Sequence, residues 1–177
     1  MAWLLLARHG ETEWNREGRW QGHADVALNE RGREQARALA QRLADEPIDA
    51  IYASDLARAH ETALIVADAK RMPVTTDRGL REIDVGRWSG LTPDEIARCF
   101  PGMTTHDGET NDQHQARTLA AFTRIASAHR GQRVLIVSHG KTLRVLRRHA
   151  AGMPVALLGN CETARMRFED ERFAIDD

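Results

Sequence analysis

The run Val134-Leu135-Ile136-Val137 is continuous, apolar and mostly β-branched, and it stops abruptly at Ser138-His139-Gly140. Apolar residues without alternation must be covered on both faces, as in a central strand of a parallel sheet flanked by helices. The opening run Trp3-Leu4-Leu5-Leu6-Ala7 has the same form and stops at Arg8-His9-Gly10. A third strand, Ala50-Ile51-Tyr52-Ala53, leads into Ser54, read as the N-cap of a helix carrying Arg58 one turn in. Three strands thus each hand over to a polar turn.

Helices fill the intervals. Asn29 caps one with the apolar face Ala36, Leu39, Ala40 and Leu43. Thr92-Pro93-Asp94-Glu95 has the capping-box spacing with proline at the first helical position, and Thr110 to Gln113 repeats the box before a longer helix through Ile125. Trp14 to Leu28 and Arg78 to Gly90 are rich in glycine and charge and read as loops. The tail, Ala164 to Phe168 and Arg172 to Ile175 about Glu169-Asp170-Glu171, reads as an edge hairpin. The expectation is an α/β fold: a three-layer α/β/α sandwich with a mostly parallel sheet and an antiparallel C-terminal hairpin, forming one domain over residues 1–177. Right-handed crossovers place all parallel strand ends of one polarity along one rim, so Arg8-His9, Ser54 to Arg58 and His139-Gly140 should converge.

A formal net charge of −1 argues against a nucleic-acid or membrane-surface binder, since those carry a basic excess. Cys99 and Cys161 have no Cys-x-x-Cys spacing, so neither a disulfide framework nor a zinc site is expected. The first apolar run is too short for a secretory signal and no run is long enough to span a bilayer, which leads to a cytoplasmic assignment. Nothing in the pattern bears on oligomeric state.

Two arginines, two histidines and a glycine turn in one cleft suit a compact dianion, because guanidinium forks bind phosphate oxygens in pairs. The helices starting at Ser54 and after Gly140 would add N-terminal dipoles favouring the anion. A neutral imidazole, His9 or His139, can attack phosphorus and carry it covalently. A carboxyl group beside a bound dianion favours its protonated form, which makes Glu82 a candidate general acid. No metal or other cofactor is needed, since the arginines supply the charge neutralisation.

The segment Leu6-Ala7-Arg8-His9-Gly10-Glu11-Thr12 resembles the signature of the histidine phosphatase superfamily, in its phosphoglycerate-mutase-like branch. The resemblance continues through Asn15, Gln21-Gly22, Leu28-Asn29-Glu30-Arg31-Gly32, Ser54-Asp55-Leu56-Ala57-Arg58-Ala59, Glu82, Gly108-Glu109-Thr110 and Ser138-His139-Gly140. It implies that His9 is the phosphorylated nucleophile, that Arg8, Arg58 and His139 hold the phosphoryl group and that Glu82 donates the proton. Asn15 would contact the phosphate, and Gln21, Gly22 and Gly140 would lie against the substrate. The expected substrate is a small phosphomonoester, with neither nucleic acid nor membrane as partner. Ile83 to Gly90 follow the phosphatase pattern, and the segment Phe100 to Asp107 is short for a lid that would exclude water. Hydrolysis is therefore expected. A phosphoglycerate mutase and a non-catalytic phospho-ligand binder are the alternatives.

Other residues read as structural. His23, His60, His106, His114, His129 and His149 lack metal-ligand spacing and are expected at the surface or in hydrogen bonds. Lys141, Arg144 and Arg148 read as a solvated helix face, and Trp14, Trp20 and Trp88 as packing near the rim. Arg16, Arg19 and Arg87 are candidates for contacting an acidic substrate tail.

Overall fold

The computed structural model describes residues 1–176. In chain order the elements are β1 (Ala2–Arg8), α1 (Glu13–Arg16), α2 (Glu30–Arg42), β2 (Ala50–Ala53), α3 (Ala57–Lys70), β3 (Val74–Thr76), α4 (Pro93–Cys99), α5 (Asn111–Ala128), β4 (Arg133–Ser138), α6 (Gly140–Ala151), β5 (Thr163–Glu169) and β6 (Arg172–Ile175). The strands form one sheet in the order β3-β2-β4-β1-β5-β6. β1, β2, β3 and β4 run parallel, while β5 and β6 are antiparallel additions at one edge.

Alternation along the two central strands explains the three layers. Leu4 and Leu6 of β1, with Val134 and Ile136 of β4, face Phe122 and Ile125 of α5 and Leu143 and Leu146 of α6. Leu5, Ala7, Leu135 and Val137 point the other way, against Ala36 and Leu39 of α2 and Ala59, Ala63 and Val66 of α3. Neither face of these strands can tolerate water, which is why their sequence shows no polar alternation. The fold is thus the expected α/β/α sandwich with its C-terminal hairpin, where Asp170 and Glu171 turn the chain at φ 49° and 59°.

Local chemistry sets most helix starts. Thr92 and Thr110 each close a reciprocal capping box, and Asn29 Oδ1 accepts from Gly32 N at 2.8 Å. Three features depart from the sequence reading. Within the expected loop Trp14–Leu28, Thr12 and Asn15 build a capping box for the short α1. β3 was not anticipated, because only Val74 of its three residues is apolar and partly buried while both threonines are exposed at the sheet edge. Ser54 does not cap α3: the helix begins at Ala57, its N-cap Leu56 offers no side-chain acceptor, and Asp25 Oδ1 reaches across to accept from Ala57 N at 2.7 Å. Arg58 therefore occupies the second helical position.

The turn after β1 passes against the first turn of α2 at backbone contact. A Cβ on Gly32 would sit 2.1 Å from the Glu11 carbonyl oxygen, and one on Gly10 would sit 2.4 Å from that of Gly32. Both approaches involve backbone, which has little freedom to yield. Gly32→Ala should therefore cost roughly 1–3 kcal/mol or more of stability, measured by urea denaturation; an unchanged midpoint would show that the turn is free to shift.

Candidate active site

Strand register brings the site together. Arg8 pairs with Ser138 and Ala53 with Val137, so β1, β2 and β4 end level with one another. His9 N donates to the Ser138 carbonyl at 3.0 Å and Ser54 N to that of Val137 at 3.0 Å. Two side-chain hydroxyls then tie the neighbouring segments to this rim. Thr62 Oγ1 donates to the Arg58 carbonyl at 2.7 Å and accepts from Gly10 N at 3.0 Å, while Ser138 Oγ donates to the Leu80 carbonyl at 2.7 Å.

The result is a cleft of about 170 Å³ whose walls include Arg8, His9, Asn15, Gln21, Gly22, Arg58, Glu82 and Gly140. His139 lies fully buried beside them, its ring centroid 5.2 Å from that of His9. The residues expected to hold and transfer the phosphoryl group thus come to one place. Arg58 is only 1% exposed and is aimed by two carbonyls, donating from Nη2 to Gly22 and from Nη1 to Ala24 at 2.8 Å each. Gly22 presents its carbonyl from a turn at φ +51°, where a Cβ would meet Val85 Cγ2 at 2.6 Å. Arg8 donates from Nη1 to the Leu158 carbonyl at 2.8 Å.

His9 Nδ1 lies 2.6 Å from the Gly10 carbonyl oxygen, which can only accept. The neutral ring therefore carries its proton on Nδ1 and keeps the lone pair on Nε2. Burial first, then the charges of Arg58 and Arg8, hold His9 well below the ordinary imidazole range. Burial followed by Arg58, His9 and Arg8 does the same to His139. Arg58, lowered by its burial to about 10, stays charged at neutral pH. Arg8 Nε, Arg58 Nε and both ring nitrogens of His139 are buried without a hydrogen-bond partner among the described residues. Unpaired buried donors are costly, and this cluster of them calls for an acceptor with several oxygens.

Glu82 is held by a helix terminus. Its Oε2 accepts from Lys141 N at 3.0 Å, and its Oε1 from Thr142 N at 3.2 Å, Thr142 Oγ1 at 3.1 Å and Ile83 N at 3.0 Å. From behind, Arg117 donates to the carbonyls of Arg81 and Glu82 and pairs with Glu109. At the starts of α3 and α6, Asp25 and Glu82 already receive some of the terminal N–H groups, those of Ala57, Lys141 and Thr142.

Several readings of individual residues change. Lys141 is part of the cleft wall, its Nζ 3.9 Å from the centroid of Trp20, because the second position of α6 turns inward while Arg144 remains exposed. Arg16 and Arg87 pair with Glu13 and Asp107 and are not among the cleft residues, whereas Arg19, paired with Glu17 and Glu95, lies on the cleft wall. His106 packs edge-on against Trp88 and is not among the cleft residues. Asn160 was missed: its Nδ2 donates to the His9 carbonyl at 3.0 Å and lies 3.4 Å from Asn15 Oδ1, yet no motif surrounds it. The capping box that Thr12 forms with Asn15 could have been found from its spacing.

Among the described residues, no three His, Cys, Asp or Glu side chains are gathered as a metal would require, and no helix is long and apolar enough to cross a membrane. His114, 2% exposed, is held down to about 4 by burial. Its folded value is lowered, so the unfolded chain binds the extra proton. Its contribution is present above about 6.5, the ordinary value, and is lost as pH falls towards about 4. The loss is on the order of 3 kcal/mol, and His9 and His139 act in the same direction. Urea midpoints should fall between pH 7 and pH 5 and fall less in His114→Gln; parallel behaviour of the two proteins would contradict this.

The family model described as the histidine phosphatase superfamily (branch 1) matches residues 4–177. The chain is 41% identical over 157 residues to phosphoglycerate mutase-like protein 4 of Arabidopsis thaliana, covering 81% of this chain and 68% of that protein. It is 36% identical over 157 residues to phosphoserine phosphatase 1 of Hydrogenobacter thermophilus, covering 82% and 74% of the two chains. The solved structure of Bacillus stearothermophilus YhfR superposes with a TM-score of 0.91 at 34% identity, covering 99% of this chain and 95% of that one.

Proposed function

The chain belongs to the histidine phosphatase superfamily, and from that membership we propose that it is a metal-independent phosphomonoesterase acting on a small phosphorylated metabolite through a phosphohistidine at His9. The observation that carries this reading is the pairing of a free His9 Nε2 lone pair with a cluster of unpartnered donors from Arg8, Arg58 and His139. An imidazole kept neutral beside two guanidinium groups is a nucleophile already facing the charge its electrophile brings.

In the first step His9 Nε2 attacks phosphorus and the bond to the ester oxygen breaks. Arg8, Arg58 and His139, with the NH2 group of Asn15, hold the non-bridging oxygens. Protonated Glu82 gives its proton to the departing alkoxide, so the alcohol leaves neutral. In the second step water attacks phosphorus and the P–N bond breaks. Glu82 takes the proton from that water and returns to its starting state. The His9 Nδ1–H bond to the Gly10 carbonyl keeps the ring oriented while it bears the phosphoryl group.

Release to water, rather than to a second substrate hydroxyl, is favoured by the place of the expected lid. None of the residues Phe100 to Asp107 belongs to the cleft wall, and Arg87 lies over Phe100 while His106 packs on Trp88. The relative named as a phosphoserine phosphatase supports the same choice. The small cleft suits a small substrate.

His9→Ala should lower kcat for p-nitrophenyl phosphate by roughly three orders of magnitude, in the presence of a chelator and with an unchanged melting transition. Near-full activity in that variant would exclude His9 as the carrier. Glu82→Gln should slow an alkyl phosphate by about a hundred-fold and p-nitrophenyl phosphate far less, because p-nitrophenolate leaves without a proton. Equal losses would remove the acid role. Interconversion of monophosphoglycerates outrunning phosphate release would favour a mutase.

A further inference from the structure

Glu82 sits on a loop, so a proton delivered from it needs something to fix which carboxyl oxygen faces the substrate. Its two oxygens are not equivalent. Oε1 receives Ile83 N at 3.0 Å and Thr142 N at 3.2 Å, and Thr142 Oγ1 lies within hydrogen-bond reach of it at 3.1 Å. Oε2 receives one, from Lys141 N at 3.0 Å. A carboxylate offers about four lone-pair sites in all, so Oε1 is the more heavily engaged oxygen and Oε2 the atom with more room for a proton.

The hydroxyl among these donors has competing claims on its single proton. Thr142 Oγ1 lies 2.9 Å from the Arg81 carbonyl oxygen and 2.9 Å from His114 Nε2. If His114 carries its proton on Nδ1, then Nε2 accepts and draws the Thr142 proton away from Glu82. If the proton is on Nε2, the ring donates to Thr142 Oγ1, and the hydroxyl proton is left for Glu82 Oε1 and the Arg81 carbonyl. His114 is neutral at ordinary pH, since burial holds it down to about 4, so it has one N–H to place. The second turn of α5 thereby reaches the third residue of α6 and, through it, the acid.

We infer that His114, as its Nε2–H tautomer, is a positioning residue: through Thr142 it pins Glu82 Oε1 and leaves Oε2 as the oxygen that delivers the proton to the leaving group. This rests on Glu82 being the general acid proposed above. Neither His114 nor Thr142 touches the substrate in this scheme.

The test is a series of aryl and alkyl phosphates of graded leaving-group ability, assayed with wild-type protein, Thr142→Val, Thr142→Ser and His114→Leu, with thermal melts confirming that each variant folds. For Thr142→Val and His114→Leu, kcat should fall roughly ten-fold more with the poorest leaving group than with p-nitrophenol, with smaller changes in KM. Thr142→Ser, which keeps the hydroxyl, should restore the wild-type dependence. A loss that is parallel across the series would overturn the inference while leaving the phosphatase reading intact. Wild-type protein that releases phosphate from none of the esters would bring both down. A second readout is independent of turnover: ¹⁵N NMR of the histidine rings, with His114→Leu for assignment, should show His114 as the Nε2–H tautomer at neutral pH. An Nδ1–H ring would overturn the inference whatever the activity.

Discussion

Two guanidinium groups buried against two imidazoles are the arrangement on which the rest of the structure depends. All four are bases, and burial disfavours the charged form of each. They differ in how much proton affinity they can lose. Arg58 falls to about 10 and keeps its charge, whereas the histidines start near neutrality and give theirs up. The same burial therefore divides the cluster into fixed cations and free bases. Among the described residues no carboxylate closes on the guanidinium groups: carbonyls of Gly22, Ala24 and Leu158 aim them and leave their charge for an anion.

Holding that cluster in place falls to the frame. The central strands end level because β4 pairs with both β1 and β2, and the hydroxyls of Thr62 and Ser138 fasten α3 and the Leu80 loop to those ends. Part of each helix terminus is taken up by the protein's own carboxylates. Asp25 accepts from the start of α3 and Glu82 from the start of α6, so both carboxylates lie close to the arginines without being consumed by them. A helix N-terminus stabilises any nearby negative charge, and here the polypeptide supplies its own. The anion site is consequently built mainly from side chains.

Several charges on and around the cleft are matched. Arg19 reaches Glu95, Arg81 reaches Asp55, and Arg117 reaches Glu109. The last of these does more than balance charge, since the same guanidinium braces the carbonyls of Arg81 and Glu82 from behind. Lys141 on the cleft wall is, like Arg8 and Arg58, without a salt bridge among the described residues, and its ammonium has an aromatic face. It is thus a cation on the substrate side whose partner the fold does not provide.

Much of this was legible in the order of residues alone, for a physical reason. Apolar runs without alternation can only be strands covered on both sides, and the polar residues that end them can only lie at a rim; this placed Arg8, His9, Arg58 and His139 together. Capping boxes at Thr92 and Thr110 were equally readable, because their hydrogen bonds close within three residues. The fold alone decided contacts made by distant parts of the chain. Asn160 lies 151 positions from the His9 carbonyl that accepts from it, Asp25 caps a helix 32 positions away, and Glu82 meets a helix start 59 and 60 positions on. Such contacts follow no local period, since they depend on how loops return across the sheet. Sequence determined which groups reach the rim, and tertiary structure decided which of them are already satisfied there.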